Sequence, residues 1–222
     1  MIATKQKPFE EILESLEGEK KIFIVGCGDC AAICHTGGEE EVWAMEEKLK
    51  AHGKEVVGTV VIDVACHTLK VRSVFSELRE QIEAADGLLV LACGAGVQSA
   101  AQVADKTVHP GLDSLFVANI HRHGQFTERC STCGKCVLDL TRGICPVTRC
   151  SKGLVNGPCG GAKDGKCEVD SERECCWVEI FELLKERGEL DRLRQYQPPK
   201  DFQRTVKPGS LVVETPKKGI AK

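Results

Sequence analysis

The residues best suited to chemistry in this sequence are cysteines, and the chain of 222 residues contains 14 of them. Five lie in CSTCGKCVLDLTRGICPVTRC, which runs from Cys130 to Cys150. The opening residues MIATKQKPFEEILESLEGEK contain no apolar core followed by a small-residue cleavage site, so we expect a cytoplasmic protein. Disulfides rarely persist in that reducing compartment, where clustered thiols more often bind metal. Free cysteines that only fill a core would not explain two-residue gaps.

The spacing in this stretch is typical of an iron-sulfur loop. Cys130, Cys133 and Cys136 form CxxCxxC, and Cys145 precedes Pro146. In ferredoxin loops three such thiolates hold three irons of one cubane cluster. The gap before the Cys-Pro pair is eight residues here and three in ferredoxins. The fourth ligand is therefore Cys145 or a later cysteine.

Further cysteines follow, enough for a second metal site, and they are Cys150, Cys159, Cys167, Cys175 and Cys176. Two cubanes need eight thiolates, and this region has nine cysteines. Structural zinc also accepts four thiolates, usually from two separated CxxC pairs. The spacing favours iron-sulfur for the first group and leaves iron-sulfur and zinc open for the second.

A second concentration of cysteines lies in the first half of the chain. GCGDCA matches the dinucleotide-binding pattern G-x-G-x-x-A, which alone is weak evidence. Three segments predicted as strands end in cysteine, and carboxyl ends of parallel strands face one crevice. We expect convergence of five thiols there, from Cys27, Cys30, Cys34, Cys66 and Cys93. An iron-sulfur cluster is the favoured occupant, with backbone amides at Gly26, Gly28 and Gly94 approaching the cofactor; a nucleotide and inert core cysteines are the alternatives.

The elements that position these thiols follow from hydrophobic periodicity. β-branched or apolar runs predict strands at residues 21–26, 55–64, 88–93 and 114–120. Helical spacing predicts a helix in the first twenty residues, with Phe9 and Ile12 on its apolar face, and helices at 39–52, 69–86, 98–105 and 176–193. Alternating strands and helices predict an α/β, parallel-sheet domain of Rossmann or flavodoxin type.

The texture of the sequence changes after His123. Short loops rich in glycine and cysteine replace continuous apolar sequence. A region with so little hydrophobic core needs cross-links such as bound metal to stay folded. We therefore predict an α/β domain at 1–123, a small cysteine-rich, metal-stapled domain at 124–196 and an extended C-terminal arm at 197–222 that docks on a partner or is loosely ordered.

Charge and hydropathy exclude two classes of function. A formal net charge of −3 and a sequence pI near 6.1 give no general attraction for phosphate backbones, so we expect no nucleic-acid partner. No apolar run approaches the roughly 20 residues that a membrane span requires.

Several strings together resemble one family. GCGDCAAICHTGGEEEV, LACGAGVQ, RCSTCGKCVLDLTRGICPVTRCSKGLVNGPCGG and GKCEVD followed by CCWVEIFELL are similar to the small iron-sulfur subunit, of MetV type, of methylenetetrahydrofolate reductase from acetogenic bacteria. The resemblance extends to about Tyr196, and NGPCGG with its flanking cysteines is its most specific part.

The resemblance implies an electron-transfer subunit without catalytic residues of its own. Its partner is a TIM-barrel subunit that carries flavin and reduces methylenetetrahydrofolate to methyltetrahydrofolate, and a flavin can collect single electrons before hydride transfer. Reduced ferredoxin, an NADH-linked subunit or a bifurcating assembly supplies the electrons. We expect two or three [4Fe-4S] clusters, with zinc as the alternative at one C-terminal site. The competing functions are a stand-alone oxidoreductase that binds a dinucleotide or flavin, and a zinc-stapled adaptor.

Overall fold

The computed structural model describes residues 1–213. The chain divides into two compact units, Met1–Glu128 and the residues from Arg129 onward. Within the predicted arm at 197–222, residues 214–222 lie outside the described residues. None of the helices in the described part of the chain is long and apolar enough to cross a membrane.

The first unit contains two sheets, one parallel and one antiparallel. Its strands are β1 (Ile2–Gln6), β2 (Lys21–Cys27), β3 (Glu55–Ile62), β4 (Gly87–Leu91), β5 (Thr107–Pro110), β6 (Leu112–Arg122) and β7 (Gln125–Glu128). The parallel sheet has the order β3-β2-β4-β5, which corresponds to the 2-1-3-4 order of flavodoxin-like sheets. The predicted α/β class with a parallel sheet is confirmed.

Helices alternate with the parallel strands. They are α1 (Phe9–Ser15), α2 (Cys30–Ile33), α3 (Glu39–Ala51), α4 (Thr68–Glu77), α5 (Arg79–Ala84) and α6 (Gly94–Ala101). The helix predicted at 69–86 is two helices, because Leu78 leaves helical geometry with φ −102° and ψ 20°. The helix predicted at 98–105 begins four residues earlier, at Gly94.

The core of this unit lies on the two central strands. Ile22, Phe23 and Ile24 of β2 have no exposed surface, and neither do the leucines of β4. Parallel strands covered on both faces are apolar at successive residues, and KIFIVG and GLLVL show that pattern. Buried side chains from each of the helices α1 to α6 complete this core.

The fourth predicted strand is the main correction to the sequence-based fold. Residues 114–120 belong to β6, which pairs antiparallel with β1 and β7 and lies outside the parallel sheet. The fourth parallel strand is β5, which pairs with β4 and ends just before Gly111. A local pattern identifies a strand but does not choose its partner. Here Ile2 pairs with Val117, and most of the sequence of the unit lies between them.

The second unit has little regular structure. Up to residue 213 its helices are α7 (Pro146–Arg149) and α8 (Cys176–Glu186), and 3-10 turns occupy Leu190–Arg194 and Phe202–Thr205. The helix predicted at 176–193 stops before Gly188, which takes a left-handed φ of 67°. The buried hydrophobic cluster of the second unit lies on α8 and consists of Cys176, Trp177, Ile180 and Leu184.

An ion pair joins the two helices of the second unit. The guanidinium of Arg149 on α7 donates to both carboxylate oxygens of Glu179 on α8, at 2.6 and 2.7 Å. Two parallel hydrogen bonds fix relative orientation as well as distance. This pair therefore sets the position of α8, which begins at Cys176 and is preceded by Cys175.

Candidate metal centres

The first candidate site lies at the carboxyl edge of the parallel sheet. Cys27 ends β2, Cys30 begins α2, Cys66 follows β3 and Cys93 precedes α6. From β2 the chain continues to β3 on one side of it and then to β4 on the other side. The topological switch point therefore lies between the carboxyl ends of β2 and β4. Open α/β sheets bind ligands at that point. We call Cys27, Cys30, Cys66 and Cys93 the crevice group.

The thiols of the crevice group influence one another electrostatically. Partial burial raises the pKa of the Cys66 thiol, and the neighbouring thiols of Cys93 and Cys27 raise it further. Burial also raises the pKa of Cys30. The hydrogen bond from Ile2 lowers this pKa, while the nearby Asp29 and Cys93 raise it further. Cys93 thus influences the thiols of both Cys30 and Cys66.

The antiparallel sheet contributes one wall of this site. The backbone amide of Ile2 donates to Cys30 Sγ at 3.4 Å, and its carbonyl oxygen lies 3.8 Å from Cys34 Sγ. The hydroxyls of Thr4 and Thr36 share a hydrogen bond of 2.7 Å, which ties β1 to the loop after α2. Cys34 is therefore held beside β1 and shares Ile2 with Cys30. Sequence pattern did not show that the first residues form this wall.

The glycines expected to present amides to a cofactor have other contacts. The amide of Gly28 donates to the carbonyl of Ile62 at 2.9 Å, and the amide of Gly94 donates to Ser114 Oγ at 2.9 Å. A Cβ on Gly26 would lie 2.6 Å from the carbonyl oxygen of Gly37, so close packing explains that glycine.

The loop after GCGDCA differs from a pyrophosphate-binding turn. The helix that begins inside this motif, α2, has only four residues, and α3 begins at Glu39 with three carboxylates in its first turn. Glu41 Oε2 accepts a hydrogen bond from the backbone amide of Gly38 at 2.9 Å. A side chain of the protein itself therefore occupies the N-terminal end of α3. Negative charge at that end disfavours an anionic phosphate.

The second candidate site is built on the CxxCxxC loop. Cys130, Cys133, Cys136 and Cys145, which we call the loop group, line one cavity of about 260 Å³. Thr132 and Gly134 have left-handed φ values of 53° and 77°, so the chain turns sharply between the cysteines. The structure thus brings Cys145, the first of the alternatives for a fourth ligand, to the same cavity as the other three.

A lysine distant in sequence also lines this cavity. Lys200 Nζ donates to Cys133 Sγ at 3.3 Å and to the carbonyl oxygen of Lys135 at 2.6 Å. Burial raises the pKa of Cys133, but backbone hydrogen bonding at Lys135 and the Lys200 ammonium outweigh it, and the pKa lies below its usual value. Sequence reasoning missed Lys200, because 67 positions separate it from Cys133.

The third candidate site lies at the start of α8. Five thiols line one small cavity of about 20 Å³, and they form the helix group of Cys150, Cys159, Cys167, Cys175 and Cys176. Burial raises the pKa of Cys176 to about 12, with further contributions from Cys150 and Cys175. Backbone hydrogen bonding at Val169 and the hydroxyl of Ser151 lower the pKa of Cys167.

Donor type and number in these groups fit thiolate-bound metal. Within residues 1–213, no three His, Cys, Asp or Glu side chains converge closely enough to hold a single metal ion. A cubane takes one thiolate at each of its four irons, so its ligands line a cavity around it. The loop group supplies four thiols around such a cavity, and the crevice group supplies four thiols at one sheet edge.

The fold and its thiol groups define a cysteine-rich α/β protein. Residues 109–203 match the family model described as "Methylene-tetrahydrofolate reductase C terminal". The matched segment contains every cysteine of the loop and helix groups. The chain therefore carries a domain related to methylenetetrahydrofolate reductase. Neither a curated protein nor a solved structure matches the chain.

Proposed function

We propose that this chain is the electron-transfer iron-sulfur subunit of a methylenetetrahydrofolate reductase complex. It delivers electrons to the flavin of a TIM-barrel catalytic partner, which reduces methylenetetrahydrofolate to methyltetrahydrofolate. The proposal is carried by the reductase-family match of residues 109–203, a segment in which nine cysteines line two cavities. The donor it requires is reduced ferredoxin, an NADH-linked subunit or a bifurcating assembly.

The crevice and loop groups are the proposed ligands of two [4Fe-4S] clusters. A bound cluster supplies one-electron storage, and protein side chains hold it and set its potential. In the crevice group, Cys27 and Cys93 are buried while Cys66 is exposed. That arrangement keeps the site mostly shielded and leaves one edge near the surface, where electrons can enter or leave.

The helix group is the proposed zinc site. Its cavity of about 20 Å³ has room for about one water molecule, whereas the cavity of the loop group measures about 260 Å³. Zinc-sulfur bonds of about 2.3 Å place tetrahedral thiolates about 3.8 Å apart. Within residues 1–213 no three thiols converge that closely, so a zinc ion would have to draw four of the five thiols of the helix group together. The smaller cavity is the reason for proposing a single ion here and a cubane at the loop group.

Metal analysis of the anoxically purified chain tests the ligand assignment. We expect about eight irons, four for each cubane, and about one zinc per chain. Cys133→Ser should lower iron to about four and leave zinc in place. The matched control, Cys159→Ser with Cys167→Ser, leaves three thiols in the helix group and should remove zinc alone. Unchanged iron in Cys133→Ser would contradict the assignment of the loop group.

Electron delivery is tested by mixing with a flavin-carrying methylenetetrahydrofolate reductase subunit under anoxia. The chain is first reduced with dithionite and freed of excess reductant. We expect loss of flavin absorbance and recovery of cluster absorbance in proportion. A colourless chain without iron, or a reduced chain that leaves the flavin oxidised, would refute the proposed function.

A further inference from the structure

The segment 197–205, which we call the strap, packs on the CxxCxxC loop. Its first residue, Gln197, exchanges two hydrogen bonds with the Asn156 side chain, at 2.7 and 2.8 Å. Near its other end, a Cβ on Gly134 would lie 2.8 Å from Cβ of Arg204. The strap is thus anchored on both sides of Lys200. These contacts lie within the segment 197–222, for which the sequence predicted an arm that docks on a partner or is loosely ordered.

The ammonium of Lys200 is fixed against a ligand sulfur. It donates to Cys133 Sγ at 3.3 Å and to the carbonyl of Lys135 at 2.6 Å. Both acceptors belong to the loop that carries the loop group. A lysine held by a backbone carbonyl keeps its position without help from the thiol, so its charge is a constant feature of the cavity.

We propose that Lys200 sets the reduction potential of the cluster held by the loop group. This inference rests on the proposed function. Reduction adds one electron to the cluster, and no bond forms or breaks. The added negative charge is stabilised by a cation next to a ligand sulfur, and nearby charge and hydrogen bonds to sulfur are known determinants of cluster potential. Lys200 therefore favours the reduced cluster and is a tuning residue, not a catalytic one.

Two substitutions and one control test this role. Lys200→Met removes the charge but keeps an unbranched chain of similar length, and Lys200→Arg keeps the charge. Lys185→Met is the matched control, since it removes one lysine charge from α8, where the ammonium contacts Glu182 and the Phe181 ring. Each full-length variant is purified anoxically, its iron is counted, and its clusters are titrated with dithionite and followed by electron paramagnetic resonance.

We expect Lys200→Met to retain full iron and to shift one midpoint to lower potential. A tenfold weaker reduction equilibrium is the expected scale, which corresponds to about 59 mV for one electron. Lys200→Arg should restore the midpoint, and Lys185→Met should leave it unchanged. Full iron with unchanged midpoints in Lys200→Met overturns this inference alone. A wild-type chain without iron overturns the proposed function and this inference with it.

Discussion

Replacing Gly37 with alanine tests how the loop after α2 is packed onto the sheet. A Cβ on Gly37 would lie 2.0 Å from the carbonyl oxygen of Leu91, at the end of central strand β4, whereas real Cβ atoms essentially never approach below 3.0 Å. The shortfall of 1.0 Å cannot be relieved by a rotamer, because the neighbour is backbone. Either β4 or the loop must move.

The expected cost of Gly37→Ala follows from two opposing effects. Overpacking against fixed backbone destabilises the folded state by an amount near the top of a range of about 1–3 kcal/mol. Alanine also restricts the unfolded chain, which stabilises the protein by about 0.4–1 kcal/mol. We expect a net loss of about 2 kcal/mol in the free energy of unfolding. With a urea slope of about 2 kcal/mol/M, the midpoint falls by about 1 M.

The assay is urea unfolding of the metal-free chain, followed by Trp43 fluorescence in a Trp177→Phe background so that only the first unit reports. Gly94→Ala is the matched control, because the nearest atom to its new Cβ is Ser114 Oγ at 3.8 Å. Alanine also favours a helix, so this control should be neutral or stabilising by up to about 1 kcal/mol. A Gly37→Ala midpoint equal to that of the wild type would refute the reasoning.

Three further predictions concern other contacts. The backbone amides of Lys21 and Lys20 donate to the Asp86 carboxylate and lower its pKa, so Asp86→Asn should destabilise the chain near neutral pH. The difference in stability between wild type and variant should shrink as pH falls below 3.8, the ordinary pKa, and through the lower pKa of the folded state, because Asp86 then loses its charge. Urea midpoints of the two proteins that shift in parallel across pH would contradict this. A double-mutant cycle on Arg149 and Glu179, with side chains 27% and 32% exposed, should give a coupling energy of about 1 kcal/mol, and zero coupling in urea unfolding would show that the pair does not fix α8. Ending the chain at Gln197 removes most of the strap, which packs on the CxxCxxC loop, and should lower iron by about four per chain while zinc remains. Full iron in this truncated chain would show that the packing of the strap is not needed to hold a cluster there.

Much of the first unit could be predicted from the sequence. Continuous apolar runs identified β2 and β4 because strands buried on both faces must be apolar at successive positions. The helix at 39–52 was predicted to within a residue, since its acidic start and the glycine after it mark both ends locally. The strand at 107–110 was missed because four residues that include histidine and proline give too short a pattern.

The sequence by itself determined the chemistry available to this protein and its α/β class. Both depend on local properties, namely thiol spacing and the alternation of strand and helix patterns. Only the tertiary structure decided which sheet β6 joins, which cysteines share a cavity and which cation contacts Cys133. Those features arise from contacts between residues far apart along the chain, where side-chain packing and backbone pairing choose among partners that a local pattern leaves equivalent.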